Sequence, residues 1–463
     1  MDRGPRDSAC RDQTGSKVME LELQELNERA IQAAKRLGVD DAVALSASST
    51  EGMIRFANNS VSVANRVEEA ELSVYLAKHR RKAIASTSNL EASAVEKFVG
   101  DLFLSMKGLP QSEYAPLPER GTKYAPSKFG YDKRLEDIDD RLPEFAKTAI
   151  ESSLKGGGKR SAGVISADRV TVAILTSSGT RGSDSRTSIT LNIRSFAEKD
   201  ASGHGLSCSS TLSGFNPAAA GMRAGEGARR MKEASEPEAG RYEVLMSPTV
   251  ASNLVETVGG AASAFSVEAG TSYLAEKLGK KVASPSFTLT DHGVTKGGLG
   301  GRVFDDEGVR TRSTKIIEEG VLSGYLHNLT TARKWKTVST GNAGFVTPHA
   351  WNLEVGGGDS SYEEMVREMK KGVILTSNWY TRFKNYRTGE FSTVPRDGAY
   401  LVERGRVTKS LKGIRAGDDL QRLFSSVRML SKEREWIQWW EVDTPTLCPW
   451  MLVDGITITR AYG

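Results

Sequence analysis

Between Tyr242 and Met246 the chain reads as an apolar strand, and a single residue, Ser247, separates it from a helix that opens on Pro248. Serine before proline is a helix start. The hydroxyl accepts from the first free amides, and proline suits the first helical position, where no amide is needed. Ala251, Leu254, Val255, Val258, Ala262 and Phe265 then share one stripe at helical spacing. That spacing predicts a buried helix over 247–265. No histidine lies on it.

The remainder of the chain surrounds this unit with strands and turns. A length of 463 residues is too great for one core, and 46 glycines against 14 prolines favour a turn-rich, strand-rich fold. Residues 1–17 mix Gly, Pro, Ser and both charges with little to bury, which predicts a disordered tail. Helices are predicted at 18–37, 90–106 (capped by Ser88 or Asn89), 141–154 and 218–234, with alternating strands among them. Asn58-Asn59-Ser60 is placed as a hairpin turn, because Asn tolerates positive φ. A polar linker at 235–240 sets the boundary. The expected fold class is α+β, with an N-terminal α/β domain at 18–239 and a β-rich C-terminal domain at 240–463. Within the latter, helices are expected at 362–371 and 419–431.

Composition removes several classes of function. The net charge of +5 is small for this length, and basic and acidic residues are interspersed. Direct nucleic-acid binding is therefore not expected. The basic run His79-Arg80-Arg81-Lys82 follows an alternating strand and reads as a solvated turn. Cys10, Cys208 and Cys448 are odd in number and far apart, so no disulfide framework follows and a reducing compartment fits. Residues 1–17 lack the apolar core of a secretory signal, and no apolar run is long enough to span a bilayer. The expectation is a cytoplasmic protein.

Candidate chemistry is sparse. The five histidines, His79, His204, His292, His327 and His349, are isolated from one another. His204 and Cys208 are four apart, but Gly203 and Gly205 argue against a helix that would align them as metal ligands. The run Lys155 to Arg160 resembles a phosphate loop but has Ser153 where a glycine is required and Arg160 where Ser or Thr is required. Ser177 to Gly182 does not form a nucleophile elbow. An independent hydrolase would have to use Cys448, as nucleophile or as a metal ligand with His292 and His327. Asp305-Asp306-Glu307-Gly308 reads as a turn whose carboxylates face water and cap amides. The stretch from Asn378 to Arg387 is the densest mixture of aromatic and basic residues. It reads as a strand with half its aromatics in a core, as the wall of a peptide groove, or, last because no wider basic field supports it, as a stacking platform for single-stranded bases; in the groove reading Trp379, Tyr380, Arg382 and Phe383 bind peptide.

An ordered series of segments in the second half resembles the TldD/PmbA family. It comprises Arg241-Tyr242-Glu243-Val244-Leu245-Met246-Ser247-Pro248, Gly270-Thr271-Ser272-Tyr273-Leu274, Phe304-Asp305-Asp306-Glu307-Gly308-Val309, Ile317-Glu318-Glu319-Gly320-Val321-Leu322, Tyr325-Leu326-His327-Asn328 and Ser339-Thr340-Gly341-Asn342-Ala343. The resemblance implies a heteromeric peptidase. Its TldD-like chains carry a His-Glu-x-x-x-His zinc motif on the helix after the first C-domain strand, completed by a cysteine near the C-terminus. Its PmbA-like (TldE) chains lack the histidines and pair with a TldD-like chain. The corresponding stretch here is Val255-Glu256-Thr257-Val258-Gly259-Gly260, with Val255 and Gly260 at the ligand positions and Glu256 retained. Losing two of three ligands removes zinc binding. The implied role is a non-zinc subunit with no cofactor of its own, serving a zinc-bearing TldD-like partner on peptide substrates. Glu256 is then expected to be a surface or interface carboxylate. The family has also been described as modulating DNA gyrase, which gives a regulatory binding protein as the alternative. A homodimer of this chain is the other assembly the sequence leaves open.

Overall fold

The structure, a computed structural model, describes residues 8–119 and 121–461, with side chains from Leu21 onward. Residues 1–7 of the expected tail lie outside the described residues, and from Ser8 the backbone is helical.

The first half is one antiparallel sheet with helices on a single face. Its elements are α1 (Ser8–Arg36), β1 (Asp41–Ala57), β2 (Ser60–Lys78), β3 (Arg81–Thr87), α2 (Ala92–Met106), α3 (Leu142–Lys155), β4 (Arg160–Thr176), β5 (Arg181–Glu198), β6 (Ala201–Ser209) and α4 (Pro217–Arg230). The six strands run in the order β3-β2-β1-β4-β5-β6. Asn58 and Asn59, at φ 51° and 64°, make the tight β1–β2 turn that the sequence predicts. Alternation sends Ala42, Ala44, Leu72 and Val74 under α1 and α2, and Ile54, Ile165, Ile189 and Leu191 under α3 and α4.

The predicted helix cap at Ser88 or Asn89 is not used. The helix starts later, at Ala92, with Glu91 at its N-cap and no side-chain bond. The glycine-rich stretch from 202 is a strand, and its glycines face a helix. A Cβ on Gly205 would sit 2.0 Å from the Ala220 carbonyl oxygen, and one on Gly225 of α4 would sit 2.0 Å from that of Ser153 on α3. Small residues thus let α4 settle between β6 and α3.

The second half opens with β7 (Gly240–Met246), α5 (Pro248–Ala261) and α6 (Ala264–Glu268). Its sheet has 13 strands. At its centre the long strand Val442–Arg460 pairs with β7, with the hairpin strand Val427–Trp439 and with Ile414–Asp419. Val250, Leu254, Val255 and Val258 of α5 pack on Cys448, Met451 and Val453 of that long strand.

Two predicted helices are corrected. The helix over 247–265 is two helices, broken where Ser263 bridges Leu326 and the Ala262 carbonyl accepts from the Leu326 amide. The break turns Phe265 outward, and it is 42% exposed instead of lying on the buried stripe. The helix over 419–431 stops at Ser425, because Val427 to Trp439 is recruited as a strand by the long strand beside it. Tertiary pairing overrides local propensity there.

The helix-free face of the first sheet meets the second half. Val43, Val172 and Ile174 form a core with Phe304. Further along the same face the strands turn polar, with Asp168 opposite Ser188 and Val170 opposite Arg186.

Candidate functional site

At the start of α5 the Ser247 hydroxyl accepts from the Val250 amide at 3.3 Å and donates to the Thr376 carbonyl at 2.9 Å. Pro248 takes the first helical turn, as the sequence predicts. This anchors α5 between β7 and the long strand and fixes where Val255, Glu256 and Gly260 lie.

Val255 is fully buried in the core. Gly260 ends the helix on open space, with nothing within 4 Å of where a Cβ would be. Glu256 points at the start of the long strand and accepts from the Thr444 amide at 2.5 Å. The expected surface carboxylate is thus a largely enclosed one, because the strand beginning at Val442 covers it. Burial pushes its carboxyl up to about 7, with the Thr444 amide pulling the other way.

Cys448, on the same strand, faces Ser252 one turn back along α5 and is fully buried. Burial pushes its thiol up to about 12. A thiol sealed in this way is a poor nucleophile, which argues against the independent cysteine hydrolase. His292 is held by Ser313 at 2.7 Å and Glu354 at 3.1 Å, and His327 by Thr331 at 3.1 Å. Among the described residues no three His, Cys, Asp or Glu side chains converge with metal-ligand spacing. Val255 offers no ligand atom, Gly260 has no side chain, and one buried thiol cannot complete a tetrahedral set, so these residues do not fit a zinc ion. In a chain with Cys10 replaced by serine, a thiol reagent such as Ellman's should stay silent until denaturant unfolds the protein. Prompt modification of Cys448 in the native chain would contradict this packing.

The aromatic and basic segment forms the strand Trp379–Asn385, hydrogen-bonded on one side to Glu390–Val394. Among the described residues its other edge pairs with no strand. Trp379 is half-buried, its ring 5.4 Å from that of Trp439 and 5.0 Å from that of Trp440. Its indole N–H donates to Asp397 at 2.8 Å. Phe383 is also half-buried, stacked on Tyr386. Tyr380 is 49% exposed at φ 55°, and Arg382 is exposed beside it. Those two border a groove of about 580 Å³ with Arg396, Lys412 and Arg415. Of the four residues read as peptide-binding, Tyr380 and Arg382 are therefore free to meet another molecule, whereas Trp379 and Phe383 serve packing.

The acidic turn departs from expectation. Asp305 does not face water. It is fully buried and accepts from the amides of Glu307 at 3.0 Å, Val309 at 2.9 Å and Ala343 at 3.0 Å. Asp306 pairs with Arg302 and accepts from the Phe345 amide, and Glu307 accepts from the Leu329 amide. Three carboxylates thus pin loops together under the first sheet.

Sequence reading missed Asp397, whose buried carboxylate takes Arg194 at 2.6 Å, Ser202 at 2.5 Å and Trp379. It also missed the polar face around Arg186. The one available signal was the alternation on β5, where Arg186, Ser188, Asn192 and Arg194 interleave with Ile189, Leu191 and Ile193.

Solved structures share this architecture. TldE from Thermococcus kodakarensis superposes with a TM-score of 0.83 over 94% of this chain and 100% of that one, at 20% identity. A Thermotoga maritima protein described as a modulator of a DNA gyrase gives 0.83 over 94% and 100%, at 24% identity. At such identities the likeness is one of fold. Family models add sequence: the PmbA/TldA metallopeptidase central domain matches residues 127–232, and the PmbA/TldA metallopeptidase C-terminal domain matches residues 239–460. The chain belongs to the PmbA/TldD metallopeptidase family. Curated relatives include the metalloprotease MJ0996 of Methanocaldococcus jannaschii, 32% identical over 45% of this chain and 47% of the relative. Metalloprotease PmbA of Escherichia coli O157:H7 is 30% identical over 42% and 41%. The chain thus spans less than half the length of these curated relatives. Among the described residues no helix is long and apolar enough to cross a membrane.

Proposed function

We propose that this chain is the non-zinc subunit of a PmbA/TldD-type heteromeric peptidase, acting in the cytoplasm on peptides beside a TldD-like chain that carries the zinc. The observation behind this reading is the state of the motif helix. Valine and an exposed glycine occupy the ligand positions, and the glutamate between them is bound to the Thr444 amide instead of facing a free cavity. Without a metal-bound water, Glu256 has no proton to take. Its helix still has the packing of the family fold, so the chain can complete an assembly without performing the cleavage. The unpaired edge of Trp379–Asn385, with Tyr380 and Arg382 exposed, suits main-chain pairing to an extended peptide or to the partner chain.

Co-expression with a TldD-like chain from the same source tests this. A complex on size-exclusion and faster peptide cleavage by the partner are expected, with zinc in the partner alone. No complex, together with cleavage indifferent to this chain, would sink the proposal. The regulatory alternative predicts DNA binding that weakens steeply with salt, which the subunit reading does not.

A further inference from the structure

The polar face of the first sheet carries a guanidinium with no hydrogen-bond partner among the described residues. Among the described residues Arg186 of β5 has no hydrogen-bond or ion-pair partner and only longer-range electrostatic neighbours. It is partly buried, and desolvation, followed by the charge of Arg302, holds it below the usual guanidinium range. The carboxylates of Asp168 and Asp184 act on it only as longer-range charges. Asp184 takes the amides of Ser127 at 2.8 Å, Val303 at 2.9 Å and Ser185 at 3.1 Å. Asp306 is paired with Arg302, and Asp168 accepts from Ser188 at 3.2 Å.

Arg186 opens on a cavity of about 470 Å³ between the two halves of the chain. Asp168 and Ser188 line it from the first sheet, and Trp351, Asp443 and Thr444 from the second half. Thr444 is the residue whose amide holds Glu256, so the cavity abuts the motif helix. A guanidinium presents five N–H donors in a planar fork, and here they face the cavity with no protein acceptor among the described residues. The group that fits that fork is a carboxylate, held by two parallel bonds.

We propose that Arg186 anchors a carboxylate subsite that receives the acidic end or an acidic side chain of an extended peptide lying between the two halves. That the ligand is a peptide rests on the subunit reading above; that it bears a carboxylate rests on Arg186. Asp168, on the neighbouring strand, supplies an acceptor for a peptide amide beside the anchored group.

Binding to the isolated full chain tests the subsite, with three probes followed by calorimetry. They are N-acetyl tetra-alanine with a free C-terminus, the same peptide as its amide, and the amide with glutamate at its third position. At least one carboxylate probe should bind about tenfold or more tighter than the plain amide. Arg186→Gln should abolish that preference and Arg186→Lys should keep part of it, both with no loss of thermal stability, since Arg186 has no hydrogen-bonded partner to lose. Preference for the free C-terminus alone assigns the terminal carboxylate, and preference for the glutamate probe assigns a side chain. No preference in the native chain, or a preference that survives in Arg186→Gln, overturns the subsite. A chain that discriminates the probes yet ignores the TldD-like partner keeps the subsite and loses the subunit role; the opposite result does the reverse.

Discussion

Asp305→Ala is expected to destabilise the chain by about 4 kcal/mol at neutral pH, the size associated with emptying a buried polar site. The reason is a set of three donors. The amides of Glu307, Val309 and Ala343 all end on this carboxylate, at a position with no exposed surface. Alanine leaves all three unmet and admits little water to replace the oxygens. Burial raises the Asp305 carboxyl above its usual range, with the amides opposing it, so the native arrangement is already a balance of desolvation against hydrogen bonds. Alanine removes the compensation and keeps the orphaned amides. Asn is the informative control. One oxygen still serves Glu307 and Val309, but its amide nitrogen now faces the Ala343 N–H, so the expected loss is about 1–2 kcal/mol. Urea unfolding followed by tryptophan fluorescence measures both. No loss for Asn beside a full loss for Ala would show that volume, not hydrogen bonding, sets the effect.

What the residues disclosed before the structure follows the range of the forces involved. Ser247-Pro248 and Asn58-Asn59 were legible because a cap and a positive-φ turn are decided within a few residues. The break after Ala261 was not, since the bridge from Ser263 to Leu326 comes from a distant loop. The strand Val427–Trp439 was likewise hidden, because its neighbour Val442–Arg460 decides its state. Gly203 and Gly205 argued against a helix around His204, but gave no sign that they leave room for α4 to approach. At the site, the substitutions Val255 and Gly260 could be placed by resemblance, but the burial of Glu256 could not, since the amide that meets it belongs to Thr444. Trp379 and Phe383 looked like binding aromatics because composition does not say which side of a strand faces a core. The alternation that sets Arg186 and Ser188 on one face was a signal left unread. That this face meets the second half of the chain was not legible, and only that fact turns a solvated row into a cavity wall.

Glu256 gives the other large effect, and its sign is opposite to that of Asp305. Folded, its carboxyl titrates near 7 against the ordinary 4.5, with burial as the cause. Between those values the folded chain binds more protons at this position than the unfolded chain does. Stability contributed here therefore falls as pH rises from about 4.5 to 7, and levels off above. Gln in its place keeps the shape and an oxygen for the Thr444 amide while removing the titration. Glu256→Gln should accordingly match the native chain near pH 4 and exceed it by about 2 kcal/mol at pH 8, with the gap opening across that window. Asp305 and Glu307, also raised by burial, steepen the pH dependence of both chains and cancel in the difference. Paired denaturation curves at pH 4, 6 and 8 measure it. A variant no more stable than the native chain at pH 8 would mean that the Thr444 amide fully compensates the buried charge. A variant that gains stability would identify Glu256 as a carboxylate held in the family's motif position against the preference of its own packing.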